Sequence, residues 1–227
     1  MKINKIVKYL ILSDIAFFTG WGLVSPIFPI FVLDRIQGGT ALVVGTATAI
    51  YWIVKALLEF PVGTLLDKHA GEKDDYFFLV SGLFIASLVP FGYLLAVFPW
   101  HIYLLQFFYG LGMAMAVAGW RAIFTKHIDR GKEASEWSLD NSSLGLGTGL
   151  AGIVSGYMIM KFGFSLTFVI AGCLGLIGVL ILLGISDEVQ VSVKGIHANI
   201  MDFFNNNQRK RRIRPEISEA LDDTNKK

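Results

Sequence analysis

Gly63-Thr64-Leu65-Leu66-Asp67-Lys68-His69-Ala70-Gly71-Glu72-Lys73 is a short polar stretch between two long apolar runs, 40–66 and 76–97. A helix needs roughly 20 apolar residues, at 1.5 Å rise, to cross the ~30 Å hydrocarbon core of a bilayer, and either run suffices. A glycine at the helix exit lets another backbone approach. A carboxylate beside it suits the positive N-terminus of a neighbouring helix, and lysines hold such a loop on the cytoplasmic side.

Working outward, the 227 residues contain six apolar segments, at about 9–33, 40–66, 76–97, 100–124, 138–160 and 163–185. Hydrophobic residues make up 54% of the chain and charged residues 17%, and mean hydropathy is +0.57. Soluble domains carry nearer 25% charged residues, so the composition excludes an ordinary soluble fold. The expectation is an all-α polytopic membrane protein with six transmembrane helices. The basic N-terminus leads into an apolar run too long for a signal h-region and without a cleavage site, so it reads as a retained first span. Cys173 has no second cysteine to pair with.

The flanking charges alternate. One side holds Lys2, Lys5 and Lys8, then Lys68 and Lys73, then Arg121, Lys126, Arg130 and Lys132. It also holds Lys194, Arg209, Lys210, Arg211, Arg212, Arg214, Lys226 and Lys227 of the tail. The other side has Arg35 and Lys161, and Lys55, inside a run, completes the 20 Lys and Arg. The positive-inside rule then places both termini in the cytoplasm, in a plasma (inner) membrane, and argues against dual topology. Residues 1–186 form the predicted bundle and 187–227 a cytoplasmic tail. Ile196, Ile200, Met201, Phe203 and Phe204 give the tail one apolar side, suited to a short interfacial helix. The basic run at 209–214 suits anionic lipid, or simply a solvated tail.

The polar stretch resembles the signature loop between the second and third helices of major facilitator superfamily transporters, G-x-x-x-D-[RK]-x-G-[RK]-[RK]. Gly63, Asp67 and Lys68 stand in register. Ala70 occupies the place of the second glycine, Gly71 follows one place late, and Glu72 replaces a basic residue. Glu59-Phe60-Pro61-Val62-Gly63 is similar to the acidic residue and proline that often precede this loop. Gln106-Phe107-Phe108-Tyr109-Gly110-Leu111-Gly112 is similar to the glycine-rich fourth span, with glutamine where arginine is frequent. Gly145, Gly149, Gly152 and Gly156 resemble the fifth-span glycine motif, with Leu150 where proline is usual. Lys161-Phe162-Gly163-Phe164 with Phe168 resembles the turn into span six. The match covers residues ~9–185 as an ordered set of individually weak motifs.

The resemblance implies half of a twelve-span transporter, built as two three-helix repeats. It implies a secondary transporter of a small solute by alternating access, with a proton or ion as coupling partner. A homodimer or a second half-transporter would complete the pathway, with Asp67 as a conformational latch near 135–138. The other reading is a non-transporting six-span membrane protein, either a truncated remnant or a half that binds lipid or protein.

Charges inside spans are costly and by default face a cavity or a partner. Asp14, Lys55, Glu59 and Arg121 are the candidates, and Lys55 and Glu59, spaced i,i+4, can pair on one helix face. In one reading Lys55 meets an anionic substrate, or Asp14 and Glu59 exchange a proton. In the other, Lys55–Glu59 is a structural pair, while Asp14 and Arg121 sit within reach of water. Trp21, Tyr51, Trp52, Gln106 and Tyr109 are candidates to line the same cavity. The small-xxx-small spacing of Gly145, Gly149, Gly152 and Gly156 suits close helix contact. His69, His101, His127 and His197 lie in loops, at span ends or in the tail, with no catalytic or metal-ligand spacing. Neither an enzyme, a cofactor, a metal site nor a nucleic-acid interface is expected.

Overall fold

The computed structural model describes residues 3–68 and 72–189, and every long element among them is a helix. In chain order these are α1 (Lys5–Val24), α2 (Phe28–Arg35), α3 (Ala41–Lys68), α4 (Glu72–Tyr93), α5 (Pro99–His127) and α6 (Glu133–Leu183). Five of them are long and apolar enough to cross a membrane. The tail from 190 onward, with its expected interfacial helix and basic cluster, lies outside the described residues, as do residues 69–71 of the polar loop.

The first apolar run, expected as one span, is broken. Asn4 caps α1, its side chain accepting from the Ile6 N–H at 2.9 Å, and α1 ends at Val24. Pro26 in the following turn has no N–H to continue the ladder. The chain restarts as α2 with Pro29 in its first turn, where a missing donor costs nothing. The third run ends as helix at Tyr93, earlier than its apolar stretch, because Leu94 and Leu95 form a turn.

α6 is two helices folded back on each other. Gly163 has φ +75°, a left-handed conformation that residues with a Cβ avoid. Before it, contacts with α1 run parallel: Thr148 Oγ1 donates to the Phe18 carbonyl at 3.4 Å, and Ser155 Oγ to that of Leu23 at 2.6 Å. After it they run antiparallel. A Cβ at Gly20 would lie 2.6 Å from the Ala171 oxygen, and one at Gly178 would lie 2.9 Å from the Ser13 oxygen. The first arm (133–162) and second arm (164–183) thus sandwich α1.

Hydrogen bonds and ion pairs gather the helix ends at two poles. At one, Asn4 donates to the His127 carbonyl at 3.2 Å, Lys5 pairs with Glu188, and Tyr76 donates to the Leu182 carbonyl at 3.0 Å. Lys126 and Asp75 meet there at 2.6 Å, and His127 and Glu72 at 3.6 Å. In the turn before α6, Lys132 donates to Asp129 at 2.8 Å, and that bond raises the ammonium's proton affinity above its ordinary value. At the other pole the Gln37 N–H donates to the Val97 carbonyl at 2.8 Å.

Glycines set the closest helix crossings. A Cβ at Gly82 of α4 would fall 2.5 Å from the Gly112 oxygen and the Ala116 nitrogen of α5, so only a hydrogen fits. α3 packs on α5, where a Cβ at Gly110 would sit 2.9 Å from the Tyr51 oxygen. The rest of α3 is half-buried or exposed, with only Val43, Ala47 and Leu66 buried in 28 residues. The first arm of α6 is similarly open. Leu146, Leu150, Ile153, Tyr157 and Met160 are exposed, and a Cβ at Gly145, Gly149, Gly152 or Gly156 would meet nothing within 4 Å. That glycine ladder makes no close contact among the described residues.

Candidate functional site

Residues Tyr51, Lys55 and Glu59 stand one above the next on α3, and α3 lies against α5. The i,i+4 pair expected from the sequence is present, Lys55 Nζ reaching Glu59 Oε2 at 2.7 Å. The second oxygen of Glu59 is held by Arg121 Nη1 from α5. One carboxylate therefore bridges two cations from two helices and leaves a net single positive charge. Lys55 and Glu59 are mostly sheltered, with side chains 15% and 21% exposed, while Arg121, at 60%, keeps donors free toward the open side.

An aromatic ladder adjoins this cluster. Trp21 of α1 stacks on Tyr109 of α5 with centroids 3.9 Å apart, and Tyr109 stacks on Tyr51 of α3 at 4.7 Å. Trp52 meets Tyr51 edge-on at 5.0 Å, and Lys55 lies 5.7 Å from its ring. Such rings give an organic solute apolar walls beside a fixed charge.

The structure separates the remaining sequence candidates. Gln106 is buried and donates to the Tyr93 hydroxyl at 3.1 Å, tying α5 to α4 away from the cluster. Asp14 is buried between α1 and α6, and its charged neighbour is Asp140 rather than Glu59 or Arg121. Gly63 has nothing within 4 Å of a would-be Cβ. Asp67 and Lys68 are exposed at the end of α3, and Asp67 lies within charge range of Asp75.

Sequence reasoning missed the buried acids Glu136 and Asp140 on the first arm of α6. Asp140 carried a signal, an aspartate inside an apolar run. Their i,i+4 spacing places both on one face. Arg121 and Glu59 were both among the intramembrane candidates, but their direct pairing, across 62 residues, was not anticipated.

A family model described as Major Facilitator Superfamily matches residues 10–215. Among solved structures, the in meso crystal structure of the POT family transporter PepTSo is similar with a TM-score of 0.64 at 13% sequence identity. The match covers 82% of this chain and 38% of that one, so the present chain spans about two fifths of the length of that transporter. No curated protein matches the sequence.

Proposed function

Because the chain belongs to the Major Facilitator Superfamily, we propose that it is a six-span half of a secondary transporter that moves a small solute by rocking-type alternating access. The exposed sides of α3 and of the first arm of α6 then form the face that a second half covers. The observation that carries this reading is the Lys55–Glu59–Arg121 cluster, sheltered at Lys55 and Glu59 and open at Arg121, with an aromatic ladder packed beside it. Charge directed at lipid is disfavoured by at least ~2.5 kcal/mol per group on insertion scales, so a wet cavity closed by a second bundle is the better surrounding.

Counting α1 with α2 as one crossing, and each arm of α6 as one, gives six. The pole that carries Lys5, Lys126 and Lys132 is cytoplasmic by the positive-inside rule, with both termini there. Two identical copies inserted alike stand parallel, related by an axis along the membrane normal, as the halves of full-length members are. The net positive charge of the cluster favours an anionic small solute. Asp67, exposed at the end of α3, would then reach the partner's α6 near 135–138, where a helix N-terminus attracts a carboxylate.

The test is two-sided access. In a Cys173→Ala background, Ala56→Cys lies one turn from Trp52 and beside Lys55. Alternating access predicts its labelling by membrane-impermeant thiol reagents from either face, in right-side-out and inverted vesicles. Asp67→Asn is expected to shift the ratio of the two rates severalfold at unchanged expression. Labelling from one face only, indifferent to Asp67→Asn, would contradict the proposal.

A further inference from the structure

The pole opposite the lysines holds a cavity that the cluster on α3 and α5 does not use. It lies between α2, the turn after α4 and the reversal at Gly163, with a volume of about 310 Å³. Its floor is aromatic: Phe31, Tyr93 and Phe168 are buried there. Phe31 meets Phe168 edge-on at 4.9 Å, and Tyr93 meets Phe168 at 5.3 Å. On the wall, a Cβ at Gly163 would have nothing within 4 Å, so the reversal itself leaves the space open.

Arg35, at the end of α2, is the one charged residue in the lining. Its guanidinium lies 5.7 Å from the Phe164 ring, a contact through the π face that leaves its N–H donors uncommitted. Among the described residues no carboxylate pairs with it. The other polar groups of this pole are placed elsewhere. Asp34 is exposed and outside the lining, Lys161 lies 5.1 Å over Tyr157, and His101 accepts the Phe98 N–H at 3.0 Å. At the mouth the surface turns apolar. Leu94 and Phe162 of the lining are exposed, and so are their neighbours in the chain, Leu95 and Met160.

We propose that this cavity binds the headgroup of an anionic phospholipid, its phosphate on Arg35 and its acyl chains over the exposed apolar side chains at the mouth. A guanidinium presents paired N–H donors that match phosphate oxygens bidentately. At ~30 Å³ per water molecule the space holds the volume of roughly ten waters, which suits a phosphate with its glycerol and leaves the acyl chains outside. No acidic side chain lines the cavity to receive an ammonium group, and Arg35 repels one. A headgroup with net negative charge is therefore favoured over a zwitterionic one. Basic pockets between membrane helices hold lipid headgroups by the same chemistry. The bound lipid ties α2 to the α4 turn and to the reversal in α6, whether or not the chain transports anything.

Native mass spectrometry of the full chain in mild detergent, titrated with dioleoyl phosphatidylglycerol or dioleoyl phosphatidylcholine, counts the lipids retained. The basic tail is common to every variant, so differences between variants report the cavity. Wild type is expected to retain one phosphatidylglycerol more than Arg35→Gln, and to bind it roughly tenfold or more tightly than phosphatidylcholine. Ala96→Phe keeps the arginine but fills the cavity, and should lose the same lipid. Added phosphatidylglycerol should raise the melting temperature of wild type more than that of either variant. A phosphatidylglycerol count equal to wild type in either variant would overturn the proposal. So would preference for phosphatidylcholine, or displacement of the bound lipid by millimolar inorganic phosphate, which would make a free oxyanion the ligand.

Discussion

Gly82→Leu is expected to prevent the bundle from assembling. The added side chain would have to enter a gap in which a single Cβ already lies 2.5 Å from two backbone atoms of α5. Overpacking of a well-filled interior typically costs 1–3 kcal/mol, roughly, and backbone cannot yield as a side-chain tip does, so a cost at or above ~3 kcal/mol is expected. The readout is thermal aggregation of the purified chain in mild detergent, with wild type alongside. Gly149→Leu is the contrasting case. Nothing lies within 4 Å of its Cβ position, so the isolated bundle should melt as wild type does. If Gly82→Leu and Gly149→Leu melt alike, the helix crossings are not where these distances place them.

Glu59→Gln carries the second large effect. It removes the one negative charge between Lys55 and Arg121 and leaves two cations facing each other across α3 and α5. Breaking a buried pair from one side costs about 3–5 kcal/mol in soluble interiors, and the solvent exposure of Arg121 lowers the figure here to about 3 kcal/mol. Lys55→Met or Arg121→Met alone should cost less, since Glu59 keeps one partner. The double change Lys55→Met with Arg121→Met strands the carboxylate and should approach Glu59→Gln. Melting temperatures of wild type, the two single methionine variants and their double form a double-mutant cycle, with Glu59→Gln measured alongside. Additive single effects would show that Glu59 does not join the two cations.

These two sites also mark what a sequence conveys. The Lys55–Glu59 pair was legible because helix periodicity alone brings i and i+4 together, with no knowledge of the tertiary fold needed. The pairing of Arg121 with Glu59 was not, since it joins residues 62 apart and depends on how helices rotate about their axes. The reversal between the last two apolar runs was readable at Gly163, where local backbone chemistry decides. The break at Pro26 was not, because the apolar run continues through it unchanged. Gly145, Gly149, Gly152 and Gly156 drew attention through regular spacing, yet tight crossings among the described residues fall at Gly20, Gly22, Gly82, Gly110, Gly112, Gly119 and Gly178. Spacing identifies a smooth helix face but carries no information about what that face meets.

The central claim is that this open face, α3 with the first arm of α6, closes against a second copy of the chain. Single cysteines placed in turn at 145, 149, 152 and 156 and at the positions between them, in a Cys173→Ala background, measure it directly by oxidative cross-linking in native membranes. The account predicts a product of twice the 25.1 kDa chain mass, strongest along the glycine stripe, weak on the flank that faces α1, and abolished by Gly149→Leu at a neighbouring position. Uniform absence of that product along the whole arm, with a monomeric mass in lipid nanodiscs, would contradict it.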